Sequence, residues 1–261
     1  MAGSVGKKGI NMIYFCSDLD NTLIYSYRRD IGNEKILVET KEGKELSYMS
    51  KVSYELLQKV TKTVELVPLT TRSLEQYNRI NFGNQVKIKY ALVANGGILL
   101  EDNKINEAWL KDSKEMIRSS EEEMEKGIQL LEKDKNVCFE IRKVDEMCVF
   151  TKSDNVEETI QRLKEELDEE TVYISSVGVK VYIFPKILDK GTALKRFRDY
   201  VGEENHFVSV GDSSFDVPML LAADTAFCPK SLELPEKNSI TKLDEKGFSD
   251  EMLQRVLNLN I

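Results

Sequence analysis

Two aspartates two residues apart, Asp18 and Asp20, end an apolar run in the stretch YFCSDLDNT. Extended backbone at that spacing aims both side chains to one side, where two carboxylates repel unless one takes a proton or a cation sits between them. A second pair of acids, Asp212 and Asp216, lies in GDSSFD, directly after the apolar segment HFVSV. Three or four carboxylates brought to one crevice imply a hard divalent cation, and Mg²⁺ takes one or two of them while leaving room for water and a substrate phosphate. Lys190, in LDKG at a helix start, supplies the opposite charge where unpaired N–H groups also favour anions. Thr70 closes the run VELVPL with a hydroxyl that can donate to a phosphate oxygen, and Asn95 follows YALVA. Any one of these residues alone reads as a turn, a cap or a solvated charge. Together they form the inventory of phosphoryl transfer: a carboxylate nucleophile, a second acid for protons, a cation, a hydroxyl and a lysine. Carboxylate attack on a phosphate dianion meets repulsion on the order of 4 kcal/mol per charge pair at about 4 Å, which the metal and the lysine would offset.

The elements that must deliver these groups are short apolar runs alternating with helical patterns, the signature of a parallel α/β sheet. Strands are expected at Met12 to Ser17, Val64 to Leu69, Tyr90 to Ala94 and His206 to Val210. Helices are expected at Ser50 to Thr61, Ser73 to Ile80, Lys190 to Tyr200 and Val217 to Ala223. Ligands bind beyond the carboxyl ends of such strands, where all the polar residues above would meet. The middle of the chain has another texture. Ser113 to Asp134 reads as one long acidic helix, and Asp154 to Leu167 as a second, with Asp154 and Glu157 spaced as a capping box. Period-two segments flank them at Val137 to Ile141 and Val179 to Phe184. This predicts an antiparallel sheet covered by helices, inserted at 107–185 into a core of 1–106 and 186–261.

At 261 residues with 41% hydrophobic and 31% charged side chains, the composition is that of a globular protein. The net charge of −8 argues against nucleic-acid or anionic-membrane partners, though it leaves room for a local cationic pocket. The four cysteines are scattered, without metal-site spacing, and the apolar run near the N-terminus is too short for a signal peptide or a membrane span, so a cytoplasmic location is expected. The opening MAGSVGKKG reads as a flexible tail. Oligomeric state has no sequence signature here.

The motifs DLDNT, LTTR, LDKG and GDSSFD, in this order and spacing, resemble the four motifs of the haloacid dehalogenase (HAD) superfamily. The ANGG segment, the insertion between Thr70 and Lys190, and VPML after GDSSFD resemble its Cof-type branch. The implied fold is a Rossmann-like parallel core with an inserted α+β cap of the C2B type. The resemblance implies Asp18 as the nucleophile that becomes an aspartyl-phosphate, and Asp20 as the acid and base. Thr70 and Lys190 would hold phosphoryl oxygens, with the N–H groups of Leu19 and Thr71 as further donors. Asn95 and Arg72 would make substrate or structural contacts. Mg²⁺ would be bound by Asp18, Asp212 and the Asp20 backbone carbonyl, with Asp216 completing the site directly or through water.

Three positions depart from the family pattern: Asn21 and Thr71 stand where glycine is frequent, and Phe215 replaces a common asparagine. The function so implied is a Mg²⁺-dependent phosphatase of a small phosphorylated metabolite, of sugar-phosphate type. A phosphomutase or phosphotransferase on the same scaffold, or a phospho-aspartate signalling module, are the alternatives. The large insertion argues against the last, since a receiver needs only about 120 residues.

Overall fold

The computed structural model describes residues 12–259, so the MAGSVGKKG segment lies outside the described residues. The chain opens on β1 (Ile13–Ser17), a short β2 (Tyr25–Ser26) and the hairpin β3 (Lys35–Lys41) and β4 (Lys44–Ser50). α1 (Lys51–Val60) follows, its N-terminus closed by the Ser50 side chain accepting from the Ser53 N–H. Next come β5 (Glu65–Pro68), the single turn α2 (Leu74–Tyr77), β6 (Tyr90–Val93), β7 (Ile98–Glu101) and β8 (Lys104–Ile105). The middle holds α3 (Glu107–Ile117), α4 (Glu121–Glu132), β9 (Arg142–Val144), β10 (Cys148–Lys152), α5 (Val156–Glu166), β11 (Val172–Val177) and β12 (Lys180–Pro185). The chain ends with α6 (Lys190–Val201), β13 (His206–Val210), α7 (Val217–Ala222), β14 (Thr225–Pro229), β15 (Ile240–Leu243) and α8 (Phe248–Leu257).

Five parallel strands in the order β15-β14-β13-β1-β5 form the main sheet. A single parallel bridge, Leu69 with Leu92, joins β5 to β6 and so to the antiparallel β6-β7-β8 ribbon. The sheet is buried on both faces, which is why its strands read as continuous apolar runs. Along β1, Tyr14 and Cys16 pack toward α6 and α7 with Phe197, Phe207 and Met219, while Phe15 packs on the opposite face with Leu57, Val60, Met252 and Leu253. The chain leaves β1 toward β5 on one side and returns through β13 to β15 on the other. The carboxyl end of β1 is therefore the topological switch point, where an open α/β sheet presents its crevice.

A second, four-stranded antiparallel sheet runs β11-β12-β10-β9. α4 and α5 cover one of its faces, burying Val149, Val172, Val181 and Ile183 with Met124, Leu131 and Leu163. α3 lies within the same stretch of sequence but packs on β7. Its Trp109 ring donates to the Gly96 carbonyl at 2.9 Å and carries the Arg196 guanidinium 3.9 Å above it.

Several sequence expectations shift by a few residues, each for a local reason. The long helix expected over Ser113 to Asp134 is two helices separated by a 3₁₀ turn at Arg118–Ser120. Val137 to Ile141 makes only one isolated bridge, from Val137 to Ser153, and the strand starts at Arg142. The β3-β4 hairpin was not anticipated. Its turn carries Glu42 and Gly43 at φ 52 and 75, the paired left-handed conformation of a tight hairpin, with glutamate in place of the usual asparagine or aspartate.

α5 is capped one residue later than the expected Asp154/Glu157 box. The Asn155 side chain accepts from the Glu158 N–H at 3.3 Å and donates to the Glu158 carboxylate at 3.0 Å. Asn155→Ala will accordingly cost about 1 kcal/mol in urea unfolding, whereas Asp154→Ala will shift the midpoint by only a few tenths. Equal losses would return the cap to Asp154.

Candidate active site

Asp18 continues the β1 pairing by one residue, its N–H donating to the Val210 carbonyl at 2.9 Å, so its side chain emerges at the switch point. The next residues turn at once. The Leu19 carbonyl accepts from the N–H groups of Thr22, Leu23 and Ile24, and Asn21 sits at φ 60, the left-handed conformation that asparagine tolerates. Leu19 itself is fully buried and anchors that turn. Its own N–H, like that of Thr71, has no acceptor among the described residues, which leaves two donors for an anion at the carboxyl ends of β1 and β5.

Lys190 opens α6, whose N-cap Asp189 accepts from the Thr192 N–H at 2.8 Å. Its ammonium is 1% exposed and donates to Asp18 Oδ1 and Asp216 Oδ1, both at 2.6 Å. The other Asp216 oxygen accepts from the N–H groups of Asp212 and Ser213 at 3.0 and 2.9 Å and from Ser213 Oγ at 2.8 Å. Both oxygens of Asp216 are thus committed to protein donors. Asp212 accepts from Thr22 Oγ1 at 3.1 Å through Oδ1. Two close approaches make this geometry possible. A Cβ on Gly211 would stand 2.3 Å from the Asp216 Cβ, and one on Gly191 would stand 2.7 Å from the Pro218 carbonyl oxygen.

Electrostatically the cluster is short of positive charge. Burial raises the Asp18 carboxyl well above its ordinary range; Lys190 opposes that, and Asp216, Asp212 and Asp20 add to it. Asp212 is pushed up to about 6 by burial and then by the Asp216 charge. Burial alone would lower Lys190, but Asp18 and Asp216 reverse this and hold it firmly as an ammonium ion. Asp18, Asp212 and Asp216 each present an oxygen within 4.8 Å of the others, a hard donor set that fits a divalent cation.

Asp20 stands apart from that cluster. Its half-exposed carboxylate accepts from Arg72 Nε at 2.7 Å and Nη2 at 2.8 Å. Arg72 is in turn held by Glu39, which is 3% exposed and also accepts from Ser47 Oγ at 2.6 Å and Arg79 Nε at 3.1 Å. Burial works against the Glu39 charge, yet Arg72 and Ser47 hold it below the usual carboxylate range. Glu39 and Ser47 come from the unforeseen β3-β4 hairpin, so nothing in the spacing pointed to them. Thr70 is buried at the end of β5 and accepts from the Arg72 N–H at 3.1 Å, which leaves its hydroxyl proton to donate.

Asn95 sits in the joint between the two sheets, its N–H donating to the Thr70 carbonyl at 2.9 Å. At φ 58 it donates to the Leu188 carbonyl at 2.6 Å and to the Tyr173 hydroxyl at 3.1 Å, and its Oδ1 is buried without a partner among the described residues. Phe215 faces the same joint, its ring 5.7 Å from Phe184 and 6.2 Å from Tyr173. The residue that replaces the family's asparagine thus packs against the second sheet. Tyr182 is close enough to the crevice to feel Asp20. Burial, then Cys148 and Asp20, push its phenol up to about 12.

The raised Asp212 carboxyl has a measurable consequence in the cation-free protein. Between the unfolded pKa near 3.9 and the folded value of about 6, the folded state keeps a proton that the unfolded state has lost. Stability therefore falls as pH rises through that window, by about 3 kcal/mol from this group, and the raised Asp18 adds to the fall. Urea unfolding in EDTA at pH 4 to 7 will show the decline, Asp212→Asn will flatten it, and a divalent cation will restore stability at pH 7. Stability that instead climbs across this range would contradict the charge balance described.

The fold recurs in known phosphatases. The sucrose-phosphatase of Synechocystis sp. PCC6803, solved with sucrose and phosphate, superposes with a TM-score of 0.66 at 13% identity, covering 95% of this chain and 97% of that one. Trehalose-6-phosphate phosphatase of Aspergillus fumigatus gives 0.57 at 13% identity over 95% and 93%. A haloalkanoate-superfamily phosphatase of Bacteroides thetaiotaomicron gives 0.53 at 16% identity over 98% and 99%. No curated protein matches the sequence. Residues 55–231, which carry Thr70, Lys190, Asp212 and Asp216, match the family model described as haloacid dehalogenase-like hydrolase, and the chain belongs to that family.

Proposed function

We propose that the chain is a Mg²⁺-dependent phosphatase that hydrolyses a small phosphorylated metabolite, of the sugar-phosphate kind, through an aspartyl-phosphate on Asp18. The carrying observation is the placement of Asp18: one oxygen is fixed by a buried ammonium, and among the described residues the other has no hydrogen-bond partner, while the N–H groups of Leu19 and Thr71 are also without an acceptor. The HAD-like fold and the sugar-phosphate phosphatases among its structural neighbours support the reading.

Asp18 attacks phosphorus through its unpaired oxygen while the bond to the leaving alcohol breaks, and Asp20 gives that alcohol its proton. In the second step Asp20 takes a proton from water, the water oxygen bonds to phosphorus, and the bond to Asp18 breaks. Lys190, the Thr70 hydroxyl and the N–H groups of Leu19 and Thr71 stabilise the phosphoryl oxygens. Arg72 engages both oxygens of Asp20, so Asp20 acts after turning from that guanidinium toward the crevice. Asp216 positions Lys190 and the 211–213 backbone. Asp18, Asp212 and the Asp20 backbone carbonyl would hold Mg²⁺, with Asp216 beside them, and the bound ion would offset the repulsion between carboxylate and phosphate.

Residues 107–185 serve as the cap over a core of 1–106 and 186–261, with α3 as the stem that packs on the core. No helix among the described residues is long and apolar enough to cross a membrane. All four cysteines are free and three are buried, which supports a reducing, cytoplasmic compartment.

Phosphate release from an aryl phosphate will require Mg²⁺ and will fall at least about a thousandfold in Asp18→Asn. Asp20→Asn will lose more activity on an alkyl phosphate than on the aryl ester, whose leaving group needs little protonation. Equal, negligible release by wild type and Asp18→Asn would sink the assignment, and phosphate appearing on a second sugar rather than in solution would replace it with a phosphotransferase.

A further inference from the structure

The face of the second sheet that α4 and α5 leave bare turns toward the crevice, as the contacts of Tyr173 with Asn95 and Phe215 show. Strand alternation puts Tyr173, Phe184, Tyr182 and Phe150 on that face. They form a continuous aromatic floor. Phe184 stacks on Tyr173 at 5.1 Å and on Tyr182 at 5.5 Å, Tyr182 meets Phe150 at 5.2 Å, and Phe150 meets Phe139 at 5.9 Å. The Phe184 end touches Phe215 beside the catalytic loop, and Tyr182 feels the Asp20 charge.

One strand repeat farther along the same face, Lys152 and Lys180 stand directly opposite one another across β10 and β12. Neither reaches a carboxylate within 4.0 Å among the described residues, although the chain carries a net charge of −8. Lys152 lies over the Phe139 ring at 4.4 Å, and Lys180 is exposed. Like charges directly opposite on a sheet are destabilising, so an unrelieved pair among surplus acids is the arrangement an incoming anion would relieve. Arg142, the cross-strand neighbour of Phe150, is instead paired with Glu140.

We propose that this face is the leaving-group subsite, where the substrate's body lies against Tyr182 and Phe150 and a second anionic group at its far end is held by Lys152 and Lys180. The inference rests on the phosphatase reading of the site and narrows it to substrates with two anionic ends. Lys180 begins about 7 Å beyond Tyr182, a distance on the order of one monosaccharide. The second anion is a phosphate or a carboxylate, and the two call for the same lysines.

Three substrates separate the possibilities: glucose 6-phosphate with a neutral tail, fructose 1,6-bisphosphate with a phosphate tail, and 6-phosphogluconate with a carboxylate tail. At least one doubly anionic substrate will exceed glucose 6-phosphate in kcat/KM by about tenfold, through KM, and the advantage will shrink as salt rises from about 50 to about 500 mM. Lys180→Ala and Lys152→Ala will each raise KM for that substrate about five- to tenfold, while the glucose 6-phosphate constants move less than about twofold. Preference for one tail identifies the anion. Equal kcat/KM for all three, or losses in the lysine variants that ignore the tail, would overturn the proposal. Calorimetry with Asp18→Asn keeps it testable without turnover. Tighter binding of the bisphosphate than of the monophosphate, lost in the added Lys180→Ala, would uphold the subsite even if the phosphatase reading failed, and equal binding would reject it.

Discussion

The rest of the site depends on one buried ammonium. Lys190 bridges Asp18 and Asp216 at 2.6 Å to each, with almost no exposure, and so ties together the end of β1, the start of α6 and the loop before α7. Removing one member of such a group strands a buried charge and costs about 3 to 5 kcal/mol, because the remaining partners have no solvent to turn to. The bridge also explains why the segments around it are so closely fitted. Gly191 lets α6 approach Pro218, and Gly211 lets the loop close over Asp216, which then spends its second oxygen on the backbone of that loop. The position of Asp18 is therefore set by residues far along the chain, rather than by its own strand alone.

Charge balance gives this assembly its purpose. Counting the two linked clusters, Asp18, Asp20, Glu39, Asp212 and Asp216 face only Lys190, Arg72 and Arg79. The deficit is that of one divalent cation. It is concentrated on Asp18 and Asp212, the acids whose carboxyls are raised and whose second oxygens have no hydrogen-bond partner among the described residues, whereas Glu39 is fully paired and held low. The two clusters thus have separate tasks. One is left short of positive charge at the point where a cation and a phosphate would meet, and the other secures Asp20 through Arg72.

What could be read from the sequence follows from the same physics. The strands that position the site are buried on both faces, so β1, β5, β6 and β13 stand out as apolar runs, and the polar groups at their ends are legible in the residue pattern itself. The β3-β4 hairpin has no such signature, because KILVETKEGKELSYMS buries only part of one face and its turn uses Glu42 rather than a stronger turn former. Glu39 was invisible for that reason. The α5 cap was displaced by one residue because Asp154 and Asn155 are both good caps with a glutamate three positions on, and only backbone geometry chooses between them. Phe215 could be recognised as a departure from the family pattern, but its partners Tyr173 and Phe184 lie on an element whose register against the core no local pattern encodes.

That last contact is one of several that join the second sheet to the core, beside the Leu74 N–H donating to Asp145 Oδ2 at 2.9 Å. Phe215 lies next to Asp216, and its ring meets Tyr173 and Phe184, while Asn95 donates to the Tyr173 hydroxyl from the loop after β6. Aromatic pairs contribute about 0.5 to 1.5 kcal/mol each beyond their buried area, and a neutral hydrogen bond about 1 kcal/mol. Their sum is a few kcal/mol. Because Phe215 is one residue from the acid that holds Lys190, its ring ties the second sheet directly to the loop that orients the ammonium, and a change in how that sheet packs is felt at the buried charge cluster.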